Sequence, residues 1–390
     1  MKYDFDKVID RNGTAAVKLE EAKEVWGRAD LIPLWVADMD FGTAPFIVDA
    51  IRKRCECEVL GYTGKPDSYY RAIINWVKQR YDLDVTKEMI NFVPGIVPGI
   101  GMAMNSFTRP GDKVMIQPPV YHPFAWVTTR NERTLVTNPL KWENGMYRMD
   151  LDAFREQVKG CKLFILCNPH NPGGVVWTED ELRTVAEICY EEKVLVFSDE
   201  IHADLTLPPY KHRPFATISE KAKMNSVTFM SPSKAFNMPG LAASHAIIFN
   251  EDLRARFRKF MDAGELDMGH VFAFLSVEAA YTHGTEWLDQ CLAYIQGNID
   301  YVDNFLKTHA PRIKAIRPQA SYLVWLDCRE LGLNQEALND FFADKAHLAL
   351  NDGTTFGKEG EGFMRLNIAC PRAVLEQALK QLEQAVINLK

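Results

Sequence analysis

Leu163-Phe164-Ile165-Leu166-Cys167-Asn168-Pro169-His170-Asn171-Pro172-Gly173-Gly174 is the stretch that decides how this chain folds. A short run that is apolar at successive positions stops against Asn, Pro and Gly, the residues that force a loop. Downstream, Thr178-x-x-Glu181 has the form of a capping box, in which threonine and glutamate satisfy each other's backbone donors. Leu182, Val185, Ala186 and Cys189 then recur at helical spacing, which predicts a helix with one buried face. Val194-Leu195-Val196-Phe197 repeats the apolar run and ends in Ser198-Asp199-Glu200; Val227–Met230 and Ala246–Phe249 follow. Strands that are apolar throughout, instead of alternating, are covered on both faces. Strands separated by a helix need right-handed crossovers, which make the sheet largely parallel. The expected fold class is α/β, with a mostly parallel central sheet flanked by helices. Ligands of such sheets collect beyond the carboxyl ends of the strands, so the residues just after each run are the ones to examine.

Outward from this centre the pattern changes. Glu286 to about Lys307 reads as a long helix, Ser321–Leu326 as a strand and Gln335–Lys345 as helical. A Gly-rich loop at Asn351–Gly362 and a closing helix from Arg372 complete the chain. These elements predict a second, smaller α/β domain made of residues 286–390 with 1–44, beside a large domain at 45–285. A length of 390 residues agrees, since single cores stop growing at roughly 250–300 residues. The N-terminal segment is expected to pack on the smaller domain.

Composition excludes several classes. Hydrophobic residues at 47% and charged residues at 25% are ordinary for a folded globular chain and wrong for a disordered or collagen-like one. No apolar run approaches the ~18 residues of a spanning helix, so no membrane association is expected. A formal charge of -7 offers no basic footprint for nucleic acid. Eight cysteines are too sparse for a disulfide scaffold, and the N-terminus lacks the apolar core of a secretory signal. The expected location is a reducing cytoplasm. Nine histidines, among them His122, His170, His202 and His212, show no paired ligand spacing, so no metal site is expected.

Three segments that follow strands carry polar groups suited to chemistry: Asn171 after Leu166, Asp199 at the end of its apolar run, and Lys234 in Ser231-Pro232-Ser233-Lys234-Ala235-Phe236-Asn237-Met238-Pro239-Gly240. Singly, a loop lysine is ordinarily a solvated charge and a strand-end aspartate a turn residue. Together they converge on one end of a sheet and suit pyridoxal phosphate. A lysine amine forms a Schiff base with its aldehyde. A carboxylate keeps its pyridine nitrogen protonated, favouring the cation by ~1–3 pKa units. An amide can hydrogen-bond its phenolic oxygen.

At this point the sequence resembles the fold-type-I pyridoxal-phosphate enzymes of the class I/II aminotransferase superfamily. Within them it is similar to the cystathionine β-lyase, or cysteine C–S lyase, subfamily of the MalY/PatB type. The resemblance spans nearly the whole chain. It is carried by Leu34-Trp35-Val36-Ala37-Asp38-Met39-Asp40-Phe41, by Gly61-Tyr62-Thr63 with Pro66–Tyr70, and by Pro118–Phe124. Asn168–Gly174, Ser198–His202, Ser231–Gly240 and Arg365–Ala369 continue it in order. It implies that Lys234 is the Schiff-base lysine and later the base, that Asp199 pairs with the pyridinium, and that Asn171 holds the phenolic oxygen. It further implies that Tyr121 stacks on the ring and that Arg365 takes the substrate carboxylate as a bidentate pair, with Ala37 and Asn171 beside the substrate. The phosphate is expected at Gly95-Ile96-Val97, where a turn leads into a helix, with hydroxyls from Ser231 and Ser233. Tyr62 would reach it from a neighbouring subunit, which implies a homodimer with shared active sites.

Two positions depart from the transaminase pattern. Eight residues after Lys234 stands Ala242, where many relatives have an arginine, and three after Asp199 stands His202 in place of tyrosine. The first places more weight on Ser231 and Tyr62; His202 becomes a candidate cofactor contact, although a structural histidine fits equally. Both lean toward the lyases. The implied reaction is α,β-elimination of L-cystathionine or a cysteine S-conjugate to a thiol such as homocysteine, pyruvate and ammonia. The alternative is an aminotransferase, which uses the same Lys, Asp, Asn and Arg; a non-catalytic binding protein on this scaffold would be expected to lack the lysine or its acid partner.

Overall fold

The computed structural model describes residues 2–389, and the segment quoted first runs out of the fifth strand of a seven-stranded sheet. In spatial order the strands are Ile90–Val93, Ser244–Ile247, Ser226–Met230, Leu195–Asp199, Cys161–Cys167, Lys113–Ile116 and Thr134–Thr137. Neighbours are parallel except at Ser244–Ile247, which runs antiparallel to the strands on both its sides. That strand starts earlier than the expected Ala246–Phe249 run because Ser244 and His245 are buried within it. It stops at Ile247 because Phe249 leads into Asn250, whose side chain caps the helix Glu251–Ala263.

Both faces of the sheet are covered. Val194 and Val196 pack with Leu182, Val185 and Cys189 on one side, while Leu195 and Phe197 join Ile100, Met104 and Phe257 on the other. The capping box forms as read: Thr178 Oγ1 accepts from the Glu181 amide and Glu181 Oε2 from the Thr178 amide, opening the helix Glu179–Glu191. Cys167 pairs with Asp199 and Asp199 with Phe229. Three adjacent strands therefore end level, and the loops after them open along one edge.

A second sheet of four antiparallel strands, Lys314–Ile316, Leu323–Asp327, Phe363–Asn367 and Asn351–Asp352, lies with the helices Thr285–His309 and Arg372–Ile387. The expected strand at Ser321 begins at Leu323 instead, since Ser321 sits at φ 79°, outside the extended region. Gln335–Lys345 divides into an α-helix, Gln335–Asp340, and a wider π-turn, Phe341–Lys345. The Gly-rich stretch is not a plain loop. It holds the edge strand Asn351–Asp352 and two 3₁₀ turns, packed so tightly that a Cβ on Gly353 would stand 2.1 Å from the Gly360 carbonyl oxygen.

Two features tie these bodies together. Residues before Leu323 are stitched to loops of the large sheet: the Gln319 amide donates to Gly174 O at 2.8 Å, the Leu207 amide to Gln319 O at 2.9 Å and the Ser321 amide to Leu205 O at 2.9 Å. The N-terminal segment pairs Ile32–Pro33 with Leu348–Ala349 in parallel. It then crosses as a strap, Leu34–Phe41, where Asn367 Nδ2 donates at 2.7 Å to both Val36 O and Asp38 O. No helix among the described residues is long and apolar enough to cross a membrane.

Candidate active site

The level strand ends enclose a cavity of about 230 Å³. Its wall includes Ala37, Gly95, Ile96, Val97, Tyr121, Asn171, Asp199, His202, Ser233 and Lys234, so ten of the residues singled out in the sequence meet at one place. Lys234 enters on the turn after Ser226–Met230, and its Nζ donates to the Ala37 carbonyl at 2.5 Å. Burial lowers the Lys234 amine to a pKa of about 8, against the opposing pull of Asp38. An amine in this state loses its proton near neutral pH, as a nucleophile and a base require.

Asp199 ends its strand 3% exposed. Burial lifts its carboxyl to about 7, although Oδ1 accepts from the Ile201 amide at 3.1 Å. A carboxylate so poorly solvated gains by meeting a buried cation. His202 follows it into the cavity wall, with no hydrogen-bond partner on Nδ1 among the described atoms. Burial, and then Lys234 and Arg365, hold its pKa down near 3, so the ring is neutral. Tyr121 has its phenol raised by burial and by Asp199, which keeps it protonated.

The opposite end is built for an anion. Gly95, at φ 139°, precedes the helix Ile96–Phe107, and only glycine adopts that φ without strain. The first-turn amides of a helix have no partners within it and carry its positive pole. Those of Ile96 and Val97 belong to residues of the cavity wall. Ala242, where an arginine was the alternative, lines the wall in a left-handed conformation at φ 46°.

Arg365 comes from the smaller sheet and is buried. Nη1 donates to Asn171 Oδ1 at 3.1 Å, and Nη2 to Trp35 O at 3.0 Å and Asn351 Oδ1 at 2.5 Å. Its guanidinium lies 4.8 Å from the Phe356 ring centroid. Burial brings its pKa to about 10, so it remains a cation at neutral pH. Its Nε is buried without a partner among the described atoms.

Two expected residues stand elsewhere. Ser231 Oγ donates to Ala243 O at 2.8 Å and accepts from the Ser233 amide at 3.1 Å. This hydroxyl is engaged inside its own turn, and Ser233 is the serine that faces the cavity. Tyr62 is 99% exposed beside exposed Val59 and Leu60 and does not line this cavity within the chain. Sequence reading also missed a group of residues around the strap. Lys18 is fully buried against Asp38 and Asp40, with Arg11 on the same carboxylates. Asn237 clasps the strap from the lysine loop through Met39 N, Met39 O and Phe41 O. The available signal was Asp38-Met39-Asp40 itself, two carboxylates in a largely apolar segment.

The donor set fits pyridoxal phosphate. A near-neutral amine, a buried acid needing a cation, an amide, an aromatic ring and a helix N-terminus surround one cavity, as the sequence resemblance implies. The sequence pattern of the aminotransferase class I and II family matches residues 29–382, and the chain belongs to that family. Among its relatives, cystathionine beta-lyase PatB of Bacillus subtilis is 40% identical over 384 residues, covering 98% of this chain and 99% of that one. Cystalysin of Treponema denticola, whose crystal structure contains pyridoxal 5'-phosphate, superposes with a TM-score of 0.97 at 34% identity and full coverage of both chains, 100% each. The PLP-bound C-S lyase of Staphylococcus hominis gives 0.92 at 35% identity, over 100% of this chain and 99% of that one.

Proposed function

We propose that this chain is a pyridoxal-phosphate-dependent carbon–sulfur β-lyase that converts L-cystathionine or a related cysteine S-conjugate to a thiol, pyruvate and ammonia. The observation that carries the reading is Lys234, a buried amine held near its titration point beside the buried acid Asp199. Its setting in a chain so similar to cystathionine β-lyases selects the reaction. When bound, the cofactor supplies an electron sink for the pair released at the substrate's Cα.

The chain's own groups do the rest. Asp199 provides the negative charge that keeps the ring nitrogen protonated. Tyr121 would supply an aromatic face, Asn171 would hydrogen-bond the phenolic oxygen with His202 beside the cofactor, and the amides of Ile96 and Val97 with Ser233 would take the phosphate. Arg365 binds the substrate carboxylate with its planar fork, orienting Cα toward Lys234. The neutral Lys234 amine removes the Cα proton, and either Lys234 or a tyrosine, such as the protonated Tyr121, gives a proton to the departing sulfur. Residues 45–285 form the cofactor-binding domain, and 1–44 with 286–390 the smaller one. The working state is a cytoplasmic homodimer in which Tyr62 completes the partner's phosphate site; the exposed apolar group Val59, Leu60 and Tyr62 supports this.

The test is a product assay with cystathionine, with and without an added 2-oxo acid, run beside Lys234→Ala. Pyruvate and free thiol without the oxo acid, absent in the variant, are expected. Amino-acid turnover that needs the oxo acid and yields no pyruvate would make the enzyme an aminotransferase.

A further inference from the structure

Beyond the cavity wall lies a group of charges around a buried lysine that the reaction outlined above does not use. Lys18, on the N-terminal helix Val17–Trp26, has a fully buried side chain. Its Nζ meets Asp38 O at 2.9 Å, Asp38 Oδ1 at 2.9 Å and Asp40 Oδ1 at 3.0 Å. Arg11 closes the outer side, reaching Asp38 Oδ2 at 2.7 Å and Asp40 Oδ1 at 3.1 Å. Two cations thus balance two carboxylates. Burying an ammonium is costly unless its donors are met, and a well-packed apolar side chain fills such space at least as stably. What an apolar residue could not do is hold Asp38.

Asp38 matters because of its neighbour. The carbonyl of Ala37 accepts from Lys234 Nζ at 2.5 Å and from the Tyr322 hydroxyl at 3.0 Å. Burial pushes the Asp38 carboxyl upward, and Lys18 and Arg11 override it to hold the group below its ordinary value. Both Asp38 and Lys18 act on Lys234 through space, with opposite signs. The other charges facing Lys234 come from elsewhere: Asp199 from the strand end, Arg365 from the smaller sheet, and the titratable His202 after Asp199. None of these hydrogen-bonds the Lys18 side chain.

We propose that Lys18 is a positioning residue for the lyase reaction: its grip on Asp38 and Asp40 fixes the Ala37 carbonyl where it receives the Lys234 amine, and its charge offsets that of Asp38 beside it. The inference rests on the function proposed above and extends it.

The test uses Lys18→Met and Asp38→Asn holoenzymes. It follows the pH titration of the visible absorbance from the Lys234–cofactor linkage, together with kcat and KM. Lys18→Met leaves Asp38 less compensated, so the midpoint rises by about one pKa unit; Asp38→Asn leaves Lys18 and Arg11 less balanced, and it falls by about as much. For Lys18→Met, kcat drops roughly tenfold while KM stays within about twofold, a loss of ~1.4 kcal/mol in the transition state alone. A purely structural lysine would not give shifts of opposite sign. Midpoints that coincide with the parent's, or that move in the same direction in both variants, overturn the proposal. If Lys18→Met does not accumulate as folded protein, the Asp38→Asn shift decides alone. Borohydride reduction of the parent separates the two levels: failure to tag Lys234 removes the lyase reading and this inference with it, whereas tagging with unmoved midpoints removes only this inference.

Discussion

Replacing Asp199 with asparagine isolates one charge at constant shape. Asparagine keeps an oxygen for the Ile201 amide, the bond that Asp199 Oδ1 now accepts at 3.1 Å, and fills the same space. It cannot carry the negative charge that a protonated ring nitrogen needs. Asp199 is 3% exposed, so water does little to screen the pair. An opposite charge within ~4–6 Å shifts a pKa by ~1–3 units, and each unit is ~1.4 kcal/mol. The loss in transition-state stabilisation is therefore about 1.4–4 kcal/mol, a fall of roughly 10- to 1000-fold in kcat/KM. Pyruvate release measures turnover, and visible absorbance per chain measures cofactor content. The cofactor-free variant should be no less stable than the parent, since the carboxyl it loses is destabilised by burial, with a pKa of about 7. An Asp199→Asn enzyme that retains cofactor and turns over within twofold of the parent would refute the pairing.

Arg365→Lys exchanges a planar fork for a point charge and loses contacts to Asn171, Trp35 and Asn351; KM for the amino acid should rise about 10- to 100-fold, with a smaller fall in kcat. Gly353→Ala would drive a Cβ to 2.1 Å from Gly360 O and 2.4 Å from Phe363 O, costing about 1–3 kcal/mol by overpacking, and differential scanning calorimetry should show a lower Tm. Lys234→Met tests the buried amine: its folded pKa of about 8 lies below the ordinary 10.5, so the unfolded chain binds more protons between those values. The stability gained by the cofactor-free variant should be full below about pH 8 and fade as pH rises toward 10.5, as denaturant midpoints across that range would show.

The central sheet was legible because its middle strands are covered on both faces and so carry continuous apolar runs, Leu163–Leu166 and Val194–Phe197, in place of an alternating period. Strand Leu195–Asp199 and helix Glu179–Glu191 fall where the apolar runs and the capping box place them. The order Asn171, Asp199, Lys234 was legible for a related reason, since parallel strands deliver their following residues to one edge. Ser244–Ile247 was shifted because buried Ser244 and His245 read as solvent-facing. The second side of the site was hidden because it depends on long-range contacts. No local pattern announces that Asn367 reaches back 331 residues to Val36 O, or 329 to Asp38 O. Nor does a helical lysine such as Lys18 advertise complete burial. Ser231 and Ser233 differ only in which hydroxyl turns inward, a choice made by the Ala243 carbonyl.

The strap has a consequence for biosynthesis. Its backbone leaves the ribosome well ahead of the side chains that pin it: Arg365 on Trp35 O and Asn367 on Val36 O are translated about 330 positions afterwards. Nascent chains halted between Lys234 and that strand possess the vitamin-docking amine but not its roof, so competence to react waits until Arg365 and Asn367 have been translated.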